Sequence, residues 1–507
     1  MPLLRKIIDF TAAHHRQLCI FAGIFLILIL LVNVFSGLGT GYIRNWDEAR
    51  HGISACEMLE TGNYIVNTFN YKTDLWNVKP VLAFYGNLCG ILLFGKNLFA
   101  VRFFSAFAFL LIAVLMFFFL KRTAGPAAAF AGCTAFAVAP TNWVHCFTTG
   151  DPDAVFILFI FASFISLWSS LKRGWLLPLA AFFMSLAFLT KSFHAGPYAL
   201  GALILTAVYW KKFSRLQLLA AFSAGLLPAI CWAGVRYYAD GPVFFQSMIE
   251  LDLLGRVKSG TASEHGYSPW YTYLNRLNHF LVIIPVAVIF AADLAGWFFK
   301  RKNWMNENYR AVYCWCAGYF TGIILFYSCC RVKLEWYIWP AMPFLAILIG
   351  LNFQSAAESL QDSNAASGKN IFQITASGLI VLAFLVWFGI GEGKTLRVIM
   401  TRPPQQDILL SQTGGKEYFR HSFFTVDEKG KHFLPEQSFI LVMRFLSCKI
   451  IPGSLDDFKK SGIPAMLICS FYGTNDEHAL QEKALDFARR NDLKFIRCAD
   501  SLALFRK

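Results

Sequence analysis

Repeated apolar runs of about 20 residues constrain this chain more than any other feature, because a helix of that length is what crosses the hydrocarbon layer of a bilayer. Inside lipid every backbone N–H and C=O has to be paired within the spanning element, which leaves helices or a closed barrel. A barrel would show alternation over segments of about 10 residues, and none is visible here. The 507 residues are 56% hydrophobic, 17% aromatic and 15% charged, against about 25% charged in an ordinary soluble domain. The chain therefore reads as a polytopic α-helical membrane protein.

The formal net charge is +15, which in a soluble protein would suggest nucleic acid as a partner. Here the basic residues gather in short loops between apolar runs: Lys121/Arg122, Lys172/Arg173, Lys211/Lys212/Arg215 and Lys300/Arg301/Lys302. That is the signature of membrane orientation, with Lys and Arg kept on the cytoplasmic side, so no nucleic-acid partner is expected.

Segment 80–94 decides the topology. If it crosses the membrane, all four basic clusters fall outside; if it lies as a re-entrant or interfacial helix, all four are cytoplasmic. The second arrangement is expected, with about 11 (11–13) transmembrane helices. They fall at 20–38, 99–120, 126–147, 153–170, 175–189, 195–210, 216–238, 278–298, 311–328, 336–353 and 371–391. Residues 21–35 read as an uncleaved first span, because no small-x-small cleavage site follows. Residues 354–370 read as a flexible inner loop.

This arrangement divides the chain into a membrane domain, 1–392, and a soluble extracytoplasmic α/β domain, 393–507. The membrane domain carries a first outer loop with juxtamembrane helices (41–98) and a large outer loop (239–277). In the tail, SFILVMRF, AMLICSF and LKFIRC read as strands and HALQEKALDFARR as an amphipathic helix. The 13 cysteines include no CxxC pair. Any disulfide would involve two of Cys448, Cys469 and Cys498, with the pairing open.

The same topology places nearly all the unusual polar residues on the outer face. Stretch 41–80 packs Asp47, Glu48, Glu57, Glu60 and Asp74 beside Arg44, Arg50, Lys72 and Lys79. Asp47 and Glu48 open a helix that stops at Gly62. Acids there suit the helix dipole, and a carboxylate beside a membrane-bound substrate can also serve as a general base. Lys79 and Lys191 are snorkelling anchors or phosphate ligands. Asp151-Pro152-Asp153 suits a helix start. Loop 239–277 supplies Arg256, able to pair with phosphate, and His265. Arg50, Lys333 and Tyr337 complete the outer polar set.

These residues occur in motifs that resemble the GT-C glycosyltransferases using polyprenyl-phosphate sugars. The chain is most similar to the branch of lipid A 4-amino-4-deoxy-L-arabinose transferases, with protein O-mannosyltransferases more distant. The motifs are WDEAR…CEMLETGNYIV at 46–66, NVKP at 77–80, FGKNLFAVR at 94–102, DAVF at 153–156, LTKS at 189–192, EHGYSPWYTY at 264–273 and VKLEWYIWPAMPFLA at 332–346. The resemblance implies Asp47 as the catalytic carboxylate and Asp153 as the second acid; Glu48, adjacent to Asp47, is a further catalytic candidate from the residues themselves. It implies Lys79 and Lys191 near the donor phosphate, with His265 and Tyr337 also in the site; the outer-face cations Arg50, Arg256 and Lys333 are further substrate-binding candidates from their charge alone. Val78 stands where the arabinose-transferase pattern keeps a glutamate, which leaves His265 without a nearby acidic co-ligand; a divalent metal stays open as an alternative, none is assigned, and no other cofactor is called for. His51 replaces a usual tyrosine.

The implied function is transfer of a sugar from a polyprenyl phosphate to an extracytoplasmic lipid, glycan or protein acceptor, at a bacterial inner membrane. A protein O-glycosyltransferase of the same fold is the alternative. A transporter or flippase for lipid-linked sugars is the alternative from another class. Transporters commonly carry internal repeats and mid-membrane polar groups, and this sequence shows neither.

Overall fold

The structure is a computed structural model that describes residues 15–139, 146–254, 269–279, 307–330, 332–361, 371–400, 420–462, 465–471, 473–474, 476–499 and 501–507. Among the described residues, six segments are long and apolar enough to cross a membrane: Leu98–Thr123, Asp153–Ser170, Leu176–Val208, Arg215–Asp240, Tyr309–Cys329 and Glu335–Glu358. Ile20–Phe35 and Pro126–Ala137 are shorter apolar helices, and a further helix runs over Ile371–Met400. Of the span expected at 278–298, residues 280–298 lie outside the described residues.

The helix Met342–Gln361 forms the centre of the bundle, with Phe344, Ile347 and Leu351 fully buried. It crosses Pro126–Ala137 at close range. A Cβ on Gly350 would lie 2.5 Å from the Ala128 carbonyl oxygen, and small residues at such crossings are how membrane helices gain packing. The expected loop at 354–370 is helical as far as Gln361, because Gln354 accepts from the Ala128 N–H and bonds Glu358 one turn on. At the rim, Leu216, Leu219 and Phe222 of Arg215–Asp240 face outward, as lipid-facing residues do.

The loop helix Asp47–Thr61 ends at Gly62 in the left-handed region (φ 72), as the sequence predicts. A hairpin of two short strands follows, β1 Thr68–Phe69 and β2 Lys72–Thr73. Asn70 and Tyr71 turn it with φ of 54 and 60, the hand that suits a tight hairpin. Then comes the short helix Leu82–Phe94. At about 1.5 Å per residue it is about 20 Å long, too short to cross, in keeping with the interfacial reading. Its Gly90 meets the next helix so closely that a Cβ would sit 2.0 Å from the Ala100 carbonyl oxygen.

The C-terminal region forms a five-stranded sheet of order β4-β3-β5-β7-β6, from β3 Ser422–Asp427, β4 Lys449–Pro452, β5 Ala465–Ser470, β6 Lys494–Ala499 and β7 Leu502–Arg506. β3 runs parallel to β4 and β5; β7 runs antiparallel to β5 and β6. The amphipathic helix appears at Glu477–Asn491. SFILVMRF, expected as a strand, is instead the helix Gln437–Phe445. Every residue from Ser438 to Arg444 is buried, so the run is apolar on all sides and has no period to separate helix from strand. No disulfide joins Cys448, Cys469 and Cys498. Cys469 and Cys498 both face Ala503 of β7, from opposite sides, so two strand spacings of about 4.8 Å separate them, beyond bridging range.

This sheet domain shares its core with the first loop. Ile53 and Cys56 of the loop helix join one apolar cluster with Ile440, Leu441 and Ile468. A Cβ on Gly52 would lie 2.9 Å from Leu441. Glu57 and Arg444, both wholly buried, form an ion pair across the seam at 2.9 Å.

Candidate active site at one end of the helix bundle

The loop helix begins with two adjacent acids in opposite surroundings. Glu48 is fully buried. Its carboxylate accepts from Arg102 at 2.6 and 2.9 Å and from the backbone N–H groups of Arg44 (2.8 Å) and Gly150 (2.9 Å). Burial pushes its pKa up, but the Arg102 guanidinium and these donors outweigh it and hold the carboxyl below the usual range. Arg102 also donates to the carbonyls of Leu38, Thr40 and Tyr42. Glu48 therefore anchors the loop to the bundle, and its lone pairs are already engaged.

Asp47 is half-buried. Its carboxylate makes no hydrogen bond or ion pair with another described residue, while its backbone carbonyl accepts from the His51 ring at 2.5 Å. The turn before it is strained: Trp46 has φ 72, a rare region for a non-glycine residue. The start of helix Gln437–Phe445 grips this turn from the sheet domain. Trp46 N–H donates to Gln437 Oε1 at 2.9 Å, Asn45 donates to Glu436 at 2.8 Å, and Ser438 N–H donates to Asn45 at 2.9 Å.

Two of the expected lysines form buried lysine–carboxylate pairs. Lys79 donates to both oxygens of Asp252 at 2.7 Å. Asp252 belongs to a π-helical turn, Ile249–Leu254, in the large loop. Lys191, at the end of helix Leu176–Lys191, pairs with Asp153, the first residue of helix Asp153–Ser170. The Lys191 ammonium lies 5.8 Å from the Tyr337 ring centroid. His194 sits 4.8 Å from the same ring and contacts the Tyr327 hydroxyl at 3.1 Å.

His51 ties these groups together. It lies one turn beyond Asp47, packs on Phe84 with ring centroids 5.0 Å apart and meets the Asn77 amide at 3.4 Å. Burial lowers its pKa; the charges of Asp47 and Asp153 oppose this and that of Lys79 reinforces it. Asp47, Lys79 and Asp153 thus all act on one imidazole. The arrangement offers a carboxylate able to take a proton and two ammonium groups able to meet an anion.

The other expected site residues divide. Arg50 holds both Asp74 oxygens at 2.6 and 2.7 Å, sandwiched near the Phe69 and Trp76 rings. Lys333 donates to the Cys330 carbonyl at 2.5 Å. Arg256 and His265 lie outside the described residues. Among the described residues, no three His, Cys, Asp or Glu side chains converge as a metal set. The sequence reading missed Asp252, whose only mark was an acid within the apolar run IELDLL. It assigned no role to Arg102, although that residue closes the motif FGKNLFAVR and is a lone charge in an apolar run, and it missed the Glu436–Ser438 clasp, which carries no local signal.

Known proteins match this architecture. Residues 78–233 match the family described as dolichyl-phosphate-mannose-protein mannosyltransferase. The chain is 27% identical over 74% of its length to an undecaprenyl phosphate-alpha-4-amino-4-deoxy-L-arabinose arabinosyl transferase of Shewanella sediminis, covering 66% of that protein. It is 28% identical over 67% of its length to the protein of that name from Erwinia tasmaniensis, covering 61% of it. The matches thus span slightly less than two thirds of these relatives. A crystal structure of ArnT from Cupriavidus metallidurans bound to undecaprenyl phosphate superposes with a TM-score of 0.65 at 16% identity, covering 95% of this chain and 97% of that one. The fold is that of a GT-C multi-pass membrane protein.

Proposed function

We propose that this multi-pass membrane protein, with its GT-C fold and its likeness to arabinosyl and mannosyl transferases, is a glycosyltransferase that moves a sugar from a polyprenyl phosphate to an acceptor. We propose undecaprenyl phosphate-linked 4-amino-4-deoxy-L-arabinose as the donor, after the names of the relatives, and lipid A as the acceptor. The site would face the periplasm from a bacterial inner membrane. The observation that carries this reading is the Asp47 carboxylate, which bonds no described residue and stands one helical turn from His51, the ring on which the charges of Asp47, Lys79 and Asp153 all act.

In this reading the bond between the anomeric carbon and the phosphate oxygen breaks as the acceptor oxygen attacks. The electron pair leaves on polyprenyl phosphate, where Lys79 and Lys191 meet the charge. Their partners Asp252 and Asp153 hold both ammonium groups in place before the donor binds. For a hydroxyl acceptor, Asp47 takes the proton, and a single displacement inverts the sugar. For a phosphate acceptor no base is needed, and Asp47 would hold the sugar or its amine. The charge stabilisation comes from this chain's lysines and calls on no metal.

The test is release of free polyprenyl phosphate from a labelled donor by the purified protein. Transport of intact donor across proteoliposomes without release would overturn the reading in favour of a flippase. Glycolipid and glycoprotein profiling of a deletion strain identifies the acceptor. A lost protein glycan with unchanged lipid A would favour a protein O-glycosyltransferase, the reading that the mannosyltransferase match supports. For orientation, an impermeant thiol reagent applied to spheroplasts should label Lys72→Cys; protection there would reverse the topology.

A further inference from the structure

The residue that follows Lys191 is held at a cost that the fold alone does not offset. Ser192 is fully buried, and among the described residues nothing hydrogen-bonds its hydroxyl. A hydroxyl moved from water to such a place keeps its desolvation cost and gains no bond in return. The neighbouring hydroxyl of the motif LTKS is satisfied: Thr190 donates to the Leu186 carbonyl at 2.8 Å. The backbone of Ser192 adds to the cost. It has φ 54 and ψ −135, close to the mirror image of extended backbone, which glycine adopts readily and a residue with a Cβ rarely does. Strained backbone and orphaned polar atoms gather at functional sites, where the surroundings enforce them. Ser192 shows both at one position.

Its place in the fold ties it to the lysines. Ser192 follows the end of helix Leu176–Lys191 and opens the single turn Ser192–Ala195. That turn packs against Ile249–Leu254, whose Asp252 holds Lys79. Around Ser192, Leu189 and Phe193 share one apolar cluster with Val78 and Val81, which flank Lys79-Pro80. Ser192 is thus joined to both lysine–carboxylate pairs, to Lys191 through the chain and to Lys79–Asp252 through the packing of its turn.

We propose that Ser192 is a substrate-binding residue, whose hydroxyl donates a hydrogen bond to a phosphate oxygen of the polyprenyl donor and of the polyprenyl phosphate product. The role rests on the donor reading above and adds a neutral donor to its two ammonium groups. An anionic oxygen drawn to those ammonium groups is the acceptor that fits, because a hydroxyl donating to a charged oxygen forms one of the stronger hydrogen bonds. No proton is transferred. Ligand binding satisfies the orphaned hydroxyl, and it accounts for serine at a position whose backbone suits glycine, since the hydroxyl is the one polar group that serine adds.

Calorimetric titration of the full chain in phosphatidylcholine nanodiscs with undecaprenyl phosphate tests this, with undecaprenol, the same lipid without its phosphate, as the control. Ser192→Ala removes the hydroxyl, and Ser192→Gly removes it together with the backbone strain. Both should weaken binding of undecaprenyl phosphate by about tenfold or more, the scale of one hydrogen bond to a charged group, and leave binding of undecaprenol unchanged. Without ligand, Ser192→Ala should melt no lower than the wild type and Ser192→Gly should melt higher, whereas a purely structural serine would lose stability and affinity together. A lowered melt in Ser192→Ala, an equal loss with undecaprenol, or variant binding that matches the wild type overturns the proposal and leaves the transferase reading standing. A wild type that does not bind undecaprenyl phosphate overturns the donor reading and this role with it.

Discussion

The backbone N–H of Trp46 donates to the side-chain oxygen of Gln437 at 2.9 Å, which connects the sheet domain directly to the residue before Asp47. Backbone strain such as that at Trp46 amounts to about 1–3 kcal/mol and persists only where neighbours enforce it. Gln437→Ala should therefore release the turn and lower turnover by about tenfold to a hundredfold, the scale of a displaced reacting group. Stability should fall only by about 1 kcal/mol, the net worth of one hydrogen bond. Unchanged turnover, measured beside a thermal melt, would show that the clasp does not position Asp47.

The wholly buried pair Glu57–Arg444 should behave differently. Removing one partner leaves a buried charge uncompensated, at a cost of about 3–5 kcal/mol. Either Glu57→Gln or Arg444→Met should lower the denaturation midpoint in detergent, and the double variant should recover part of the loss. Additive losses would mean that the two charges are not coupled.

Asp47→Asn and Asp153→Asn separate catalysis from structure. Asp47 bonds no described residue through its carboxylate, so Asp47→Asn should leave the melt unchanged and cut turnover onto a hydroxyl acceptor by about 10²–10⁴. Asp153→Asn strands the buried Lys191 ammonium and should lower both stability and turnover. Normal turnover in Asp47→Asn would remove it as the base.

His51 predicts a pH response. Burial lowers its pKa from the ordinary 6.5, so the folded protein keeps the ring neutral where the unfolded chain takes a proton. The unfolded state then binds more protons, and stability falls as pH drops from about 6.5 toward the folded value. Glu48 acts in a lower window: its stabilisation is present above the unfolded value of 4.5 and is lost as pH falls through its lowered folded value. Melts between about pH 7 and pH 5 should show a loss in the wild type that is smaller in His51→Gln. Parallel curves would assign the loss to other groups.

Much of this was legible in the sequence because it depends on local properties. Run length set the class. Charge bias along the loops separated 80–94 from the spans and put Asp47, Lys79, Asp153, Lys191 and Tyr337 on one face; of these the structure joins Lys191 to Asp153 and to the Tyr337 ring. The helix Asp47–Thr61 and its glycine stop follow from capping and dipole preferences that act within a few residues. SFILVMRF failed as a strand because its burial on every side comes from two different neighbours, the sheet and the loop helix, and neither is visible from within the run.

By itself, then, the sequence determined a polytopic helical membrane protein, a polar first loop and the residues able to do acid and phosphate chemistry. Only the tertiary structure decided which of those residues remain available. Asp47 and Glu48 are neighbours with the same side-chain chemistry, yet Glu48 is consumed by Arg102, 54 residues away. Lys79 is set by Asp252, 173 residues away, and Glu57 by Arg444, 387 residues away. A buried charge is stable only with a partner and hydrogen bonds around it. That partner is chosen by how distant segments pack, so the state of each charged group is a property of the assembled fold.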